Sequence, residues 1–353
     1  MKMDEIKFAN YFFIVNHSEK FSVPVHGRPF LATSRHPLVP KDIPDIGSRI
    51  LTVAPTETDR FLDDPDRLQK CRSMIDDQLA LNKGVLLRNF PLRDRNEFEA
   101  FIRALGYGAF SYKGGIAIRQ QENRASMSAS DEDPRITLAP HNEMAYLANY
   151  PKKIFFYCDT QAERGGEVPI NDIRQTLPLV PSDIREKFER LGVRYYRMLP
   201  RRSQSGQIGW TDTFGTDDCM EVEAYMRQNG YDFEWINGDR LKYSYQRPAI
   251  LRHPETGEQL WFNQITELNS SYWRNHPQFP GDLPEDAYPA TTSYGDGSPI
   301  DPDTIGMLRA ALWRSSYAVR MQPHDLLVLD NQIMQHGRFA YEGARRHYVS
   351  MAA

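Results

Sequence analysis

The sequence predicts a mainly β fold with helices, a double-sheet jelly roll carrying helical insertions, and three observations support it. Short runs of strand composition, KIFFYC (153–158), DLLVLD (325–330) and RHYVSMA (346–352), lie far apart with long polar connections between them, which suits antiparallel strands that return from distant parts of the chain. They do not alternate regularly with helices, as a doubly wound parallel sheet would require. No phosphate-binding glycine loop is present: KGG at 113–115 and RGGEVP at 164–169 lack the spacing of either nucleotide fingerprint.

Taken in order, HGRPFLATSRHPLVPKDIPDI (26–46) is rich in proline and reads as an extended arm wrapped on a core. GVLLRNF (84–90) reads as a strand. A helix follows, with Asp94 and Glu97 at capping-box spacing, Phe98, Phe101, Ile102 and Leu105 on one face, and Gly106 as its stop. PSDIREKFERLG predicts a second helix capped by Ser182, with Ile184, Phe188 and Leu191 inward and Gly192 at its end. VRYYRML (193–199) has strand composition, and 220–230 and 304–317 are further helix candidates. The whole chain, 1–353, reads as one domain: an N-terminal arm and packing segment over 1–80, then a jelly-roll core with insertions over 81–353.

With 353 residues, 40% of them hydrophobic, a single domain can bury a large core. Lys and Arg number 43 against 47 Asp and Glu, a net charge of −4, so the chain has no electrostatic footprint for nucleic acid or an anionic membrane, and a small polar substrate fits better. The opening MKMDEIKFAN lacks signal-peptide character and no apolar stretch is long enough for a membrane span, so a cytoplasmic location is expected. Cys71, Cys158 and Cys219 suggest neither a disulfide framework nor a cysteine-rich zinc site.

The chemistry concentrates in APHNEMAY (139–146). In an extended segment side chains two apart share a face, so His141 and Glu143 converge while Asn142 points away. His336, just past DLLVLD, is the best third ligand. Two imidazoles and one carboxylate with open positions are the ligand set of non-haem Fe(II) oxygenases. Zinc hydrolases use the same set, so ligand type alone leaves the metal open. A helical zincin is excluded, because no two histidines lie four apart.

Shortly after His336 comes YEGARRHYVSM, where the adjacent Arg345 and Arg346 must face opposite sides of a strand. An arginine directed into a barrel needs an anionic partner, and its planar fork suits a carboxylate.

HNEMAY, RGGEVPINDIR, RPAILRHPETGEQLWFNQ and DNQIMQHGRFAYEGARR, in this order and spacing, resemble the TauD/TfdA superfamily of Fe(II)/2-oxoglutarate oxygenases. Within it they are most similar to the branch typified by the syringomycin-pathway aspartyl hydroxylase. The resemblance runs from about GVLLRNF to the C-terminus and implies a cupin-like double-stranded β-helix with Fe(II) held by His141, Glu143 and His336. It further implies Arg346 as the residue that binds 2-oxoglutarate, O2 as second cosubstrate, succinate and CO2 as coproducts, and oxidation of an unactivated C–H bond. The retained Glu143 points to hydroxylation or a related oxidation, since related halogenases replace this carboxylate with a small residue. Two positions depart from the pattern: Val168 stands where the family usually has a threonine, and Ser350 stands where some members carry a second arginine.

For substrate contacts, Arg338 and Asn263, the latter in the strand-like WFNQ (261–264), are the candidates, while HPETGE (253–258) reads as a turn. Residues 290–303, ATTSYGDGSPIDPD, have the composition of a lid or docking loop. The branch implies an amino-acid substrate, free or tethered to a carrier protein, in natural-product assembly. Two other classes share these residues: a zinc-dependent hydrolase, and a jelly-roll binding protein without turnover.

Overall fold

The computed structural model describes residues 11–15, 20–110, 114–115, 126–204, 206–254 and 256–353. The chain's first ten residues and part of KGG therefore lie outside the described residues.

Two sheets make the jelly roll. The larger has seven strands in the order Phe12–Ile14, Leu51–Pro55, Gly84–Leu87, Leu326–Asp330, Lys153–Thr160, Arg346–Ala352, Met127–Ser128. The smaller has four, Ser316–Val319, Val168–Asp172, Met334–Arg338 and Leu138–His141. All pairings are antiparallel except that of Leu51–Pro55 with Gly84–Leu87. Neighbours in these sheets are distant in sequence, as the scattered apolar runs predict.

The interior strand Lys153–Thr160 is apolar almost throughout because both its faces are buried. Phe155 and Tyr157 pack with Leu326 and Val328 beneath the helices Pro65–Asn82 and Arg95–Leu105, whereas Ile154, Phe156 and Cys158 face the barrel interior. Phe98 stacks on Tyr157 at 5.2 Å, which fixes the second helix to the sheet. Asp94 caps that helix by accepting from the Glu97 N–H, and left-handed Gly106 closes it.

A third sheet, Asp232–Ile236, Arg240–Arg247, Val193–Leu199 and Ala290–Tyr294, adds its own layer of aromatic side chains to the barrel core. Three local expectations are corrected here. Residues 290–303 are no loose lid, because Ala290–Tyr294 is a buried edge strand of this sheet. WFNQ forms no strand; it follows the hairpin Leu251–Arg252/Gln259–Leu260 as irregular chain. Ser182 is the first helical residue and makes no cap; Pro181 holds that position without a side-chain hydrogen bond, its fixed φ setting the helix entry.

Helix Pro65–Asn82 went unread in the sequence. Its buried residues are diluted by charged ones, so the amphipathic signal is weak, although Asp64 caps it through the Asp66 and Arg67 N–H groups. The proline-rich 26–46 segment wraps through a short hairpin, Ser22–Pro24 with Asp42–Pro44, against the helix Pro302–Arg314 and the strand Ser316–Val319. Among the described residues no helix is long and apolar enough to cross a membrane.

Candidate metal centre and cosubstrate cavity

His141 ends the strand Leu138–His141, and its direct cross-strand partner is His336 on Met334–Arg338. The two rings lie 4.6 Å apart between centroids, and Phe156 from the larger sheet meets the His336 ring at the same separation. Antiparallel pairing alone thus brings together residues 195 apart in sequence. Gly337 permits this closeness: a Cβ there would collide with the Leu138 carbonyl, at the point where the register shifts.

Glu143 lies just past the strand, in a turn that Met144 completes in the left-handed region at φ 58°. The extended geometry expected for 141–143 therefore stops at His141, yet Asn142 does face away. Its amide donates to the carbonyls of Asn331 and Met334. Asn331, fully buried, fixes the turn in return: its Oδ1 accepts from the Glu143 N–H at 2.7 Å, and its Nδ2 donates to the carbonyls of Glu143 and Pro151. Gln264 adds a bond from its side-chain amide to the Asn142 carbonyl at 2.7 Å.

The ligand atoms of His141, Glu143 and His336 all lie within 4.8 Å of one another. The His141 ring donates from Nδ1 to the Ala139 carbonyl at 2.9 Å, which leaves the Nε2 lone pair for a metal. Burial, then the neighbouring His336, lowers the His141 pKa, so the imidazole is held in its neutral, ligating form. His336 presents Nε2 to Glu143 Oε2 at 3.6 Å, too far for a hydrogen bond, and its Nδ1 is buried without a partner. The two imidazoles and the carboxylate form a donor set that fits a divalent metal ion, which would be held by His141, Glu143 and His336.

Beside the triad is a cavity lined by Ala129, Leu138, Phe156, Val168, Arg345 and His347. Here the expectation at Arg346 is corrected. Arg346 opens the last strand with its side chain 63% exposed and pairs with Asp159 at 3.0 Å on the outer face. Strand alternation instead directs Arg345 and His347 inward. Arg345 donates from Nε to the Gly166 carbonyl and from Nη2 to His347 Nδ1. Burial and the nearby Arg338 lower its pKa to about 10, so it stays charged at neutral pH and in want of an anion. His347 is held neutral, its pKa pushed well down by burial and by the two arginines.

Of the two proposed substrate contacts, Arg338 borders the cavity and Asn263 is not among its lining residues. Arg338 is buried and donates to the carbonyls of Glu132, Asp133 and Ile136, so it clamps the 132–136 segment, although it also borders the cavity. Asn263 donates to the Ala249 carbonyl and accepts from the Ile265 N–H, an internal turn brace. His253 braces the expected turn by accepting from the Thr256 N–H. Val168 does line the cavity and presents no hydroxyl.

A jelly roll holding two imidazoles and a carboxylate at one end, with an arginine-bearing cavity beside them, defines a mononuclear non-haem metal enzyme. The profile of the taurine catabolism dioxygenase TauD, TfdA family matches residues 32–352, and the chain belongs to that family of Fe(II)/2-oxoglutarate-dependent dioxygenases. It is 30% identical to the dapdiamide synthesis protein DdaC of Enterobacter agglomerans, across 78% of this chain and 84% of that protein. It is 28% identical to a clavaminate synthase-like protein of Arabidopsis thaliana, across 78% of this chain and 83% of that one. Among solved structures, PvcB from Pseudomonas aeruginosa is similar at a TM-score of 0.47 and 17% identity, covering 86% of each chain.

Asn331 is the residue here that sequence reasoning passed over, though it stands inside DNQIMQHGRF. Asn331→Ala leaves the Glu143 N–H and two carbonyls unpaired in a dry interior. The expected result is a loss of about 3 kcal/mol of stability and a roughly 10- to 100-fold weaker metal affinity, read by thermal denaturation and metal titration.

Proposed function

We propose that this protein hydroxylates, or otherwise oxidises, an unactivated C–H bond of an amino acid, free or carrier-tethered, in natural-product assembly in the cytoplasm. The observation that carries the reading is the meeting of His141, His336 and Arg345 at one cavity, with Glu143 beside the two imidazoles. Fe(II) and 2-oxoglutarate, when bound, supply with O2 the oxidising power, and succinate and CO2 leave as coproducts. The chain's own residues do the rest. His141 and His336 provide neutral nitrogens, and Glu143 provides one negative charge, which leaves the ion net positive toward an anionic chelator. Arg345 suits the distal carboxylate of 2-oxoglutarate by its charge and donor fork, while the neutral His347 fixes the guanidinium from below.

The surrounding chemistry favours an amino acid. Glu267 accepts a hydrogen bond from Thr266 Oγ1, and burial raises its carboxyl pKa, so a substrate ammonium is the kind of partner that would hold it ionised. The relationship to a dapdiamide synthesis protein supports a natural-product setting. The buried Cys71 and Cys158 thiols, raised by burial, the latter to about 12, are inert in a reducing compartment.

Adding Fe(II) and 2-oxoglutarate without oxygen tests the reading: a weak visible charge-transfer band is expected in the wild type and not in His336→Ala. Tight zinc retention with no such band would replace it with a hydrolase. Val168→Thr, which restores a hydroxyl to the cavity wall, is expected to leave cosubstrate affinity equal or tighter by up to about 1 kcal/mol, measured by titrating the band.

A further inference from the structure

Arg197 is the arginine that nothing in the site explains. It lies on Val193–Leu199, the third sheet's strand between Arg240–Arg247 and Ala290–Tyr294, and is 1% exposed. Among the described residues its Nε, Nη1 and Nη2 have no hydrogen-bond partner. Its guanidinium carbon lies 6.0 Å from the centroid of Tyr243, its cross-strand neighbour, at the outer limit of a cation–π contact. The other deeply buried arginines differ: Arg309 donates to Thr33, Ser271 and the Thr266 carbonyl, and Arg338 donates to three carbonyls. A buried cation with nothing to pair it is costly, and native interiors keep one where a partner arrives from outside the chain.

The surroundings say where that partner sits. Arg197 and Tyr195 share the buried face of their strand, about 7 Å apart by strand rise. The Tyr195 hydroxyl accepts from the Gln264 N–H, and Gln264 in turn holds the Asn142 carbonyl between two metal ligands. Tyr245, directly across from Tyr195 and two residues along its strand from the Tyr243 that pairs Arg197, has a buried hydroxyl that also lacks a partner among the described residues. Two orphaned donors, a guanidinium and a phenol, thus occupy adjoining strands on the wall behind the metal turn. A carboxylate has the charge that the guanidinium lacks and the acceptor oxygens that the phenol lacks.

We propose that Arg197, with Tyr245, is the receptor for a free carboxylate of an amino-acid substrate. An α-carboxylate here would exclude an aminoacyl thioester, which has none; a side-chain carboxylate would admit one. The inference rests on the metal centre being the place of oxidation.

The test compares wild type, Arg197→Met and Tyr245→Phe by calorimetric titration and thermal denaturation. The probes are the free proteinogenic L-amino acids, including aspartate and glutamate, and the α-carboxamide of each one that binds. At least one acid is expected to bind the wild type. Arg197→Met should weaken it roughly 30- to 100-fold and Tyr245→Phe roughly 3- to 10-fold, while the ligand-free melting temperature of Arg197→Met stays level or rises because an unpaired charge is gone. An acid that binds while its α-carboxamide does not assigns the α-carboxylate; binding of both aspartate or glutamate and its α-carboxamide assigns the side chain. The proposal is overturned if no free acid binds the wild type, if binding survives Arg197→Met, or if that variant melts well below wild type, which would make Arg197 structural. The anaerobic charge-transfer band, followed in the same proteins, separates the two readings: a wild type that forms the band yet binds no acid defeats the receptor alone, and one that never forms it defeats the metal assignment.

Discussion

His336→Ala is expected to reduce iron retention by more than the roughly 100-fold that loss of a supporting residue costs, and to abolish the charge-transfer band with it. His336 is 5% exposed, lies against His141 and Phe156, and is one of the three residues that would hold the metal, so its removal leaves two. Truncation also opens a small cavity between the sheets, at a cost of about 2–3 kcal/mol. His336→Gln, which keeps most of the volume, separates these effects: it should lose the metal and retain the wild-type melting temperature. Metal content equal to wild type in both variants would remove His336 from the centre.

Arg345→Ala should raise the 2-oxoglutarate requirement by roughly 10- to 100-fold, the equivalent of about 1.5–3 kcal/mol for a charged hydrogen-bonding partner, while Arg346→Ala leaves it unchanged. The contrast is strong because the residues are adjacent and chemically identical, so a non-specific electrostatic effect would move both. Arg345 borders the cavity beside His347, and Arg346 is exposed and paired with Asp159. Titrating the band in the two variants decides between them, and an Arg346 effect equal to that of Arg345 would contradict the assignment by facing.

That His141, Glu143 and His336 would meet was legible because strand pairing and motif order both act on local residue patterns, and the apolar runs located the strands that carry them. The arginine pair shows where legibility ends. Alternation says that one of two neighbours enters the barrel, but the choice depends on a register shift between Arg346 and His347 against Lys153–Thr160, where Arg346 faces Thr160 and His347 faces Cys158. A one-residue bulge leaves no mark in composition. Asn263 was misjudged for a different reason: its amide is taken up by the Ala249 carbonyl, and such braces follow no period, whereas Arg338 does border the cavity while its Nη atoms hold carbonyls distant in sequence. Arg197 sits in a plain strand pattern, VRYYRML, where an arginine reads as an outward charge until the third sheet is seen to cover it.

The turn carrying Glu143 is held by Asn331 and Gln264 through main-chain atoms. These bonds are made by the protein with itself, so they brace the socket whichever divalent ion occupies it. Two imidazoles and a carboxylate are donors that several divalent ions accept. Intrinsic affinities run higher for copper and zinc than for ferrous iron, so which ion fills the enzyme is decided by cellular supply and exchange rates, and exposure to excess zinc should silence it without unfolding it.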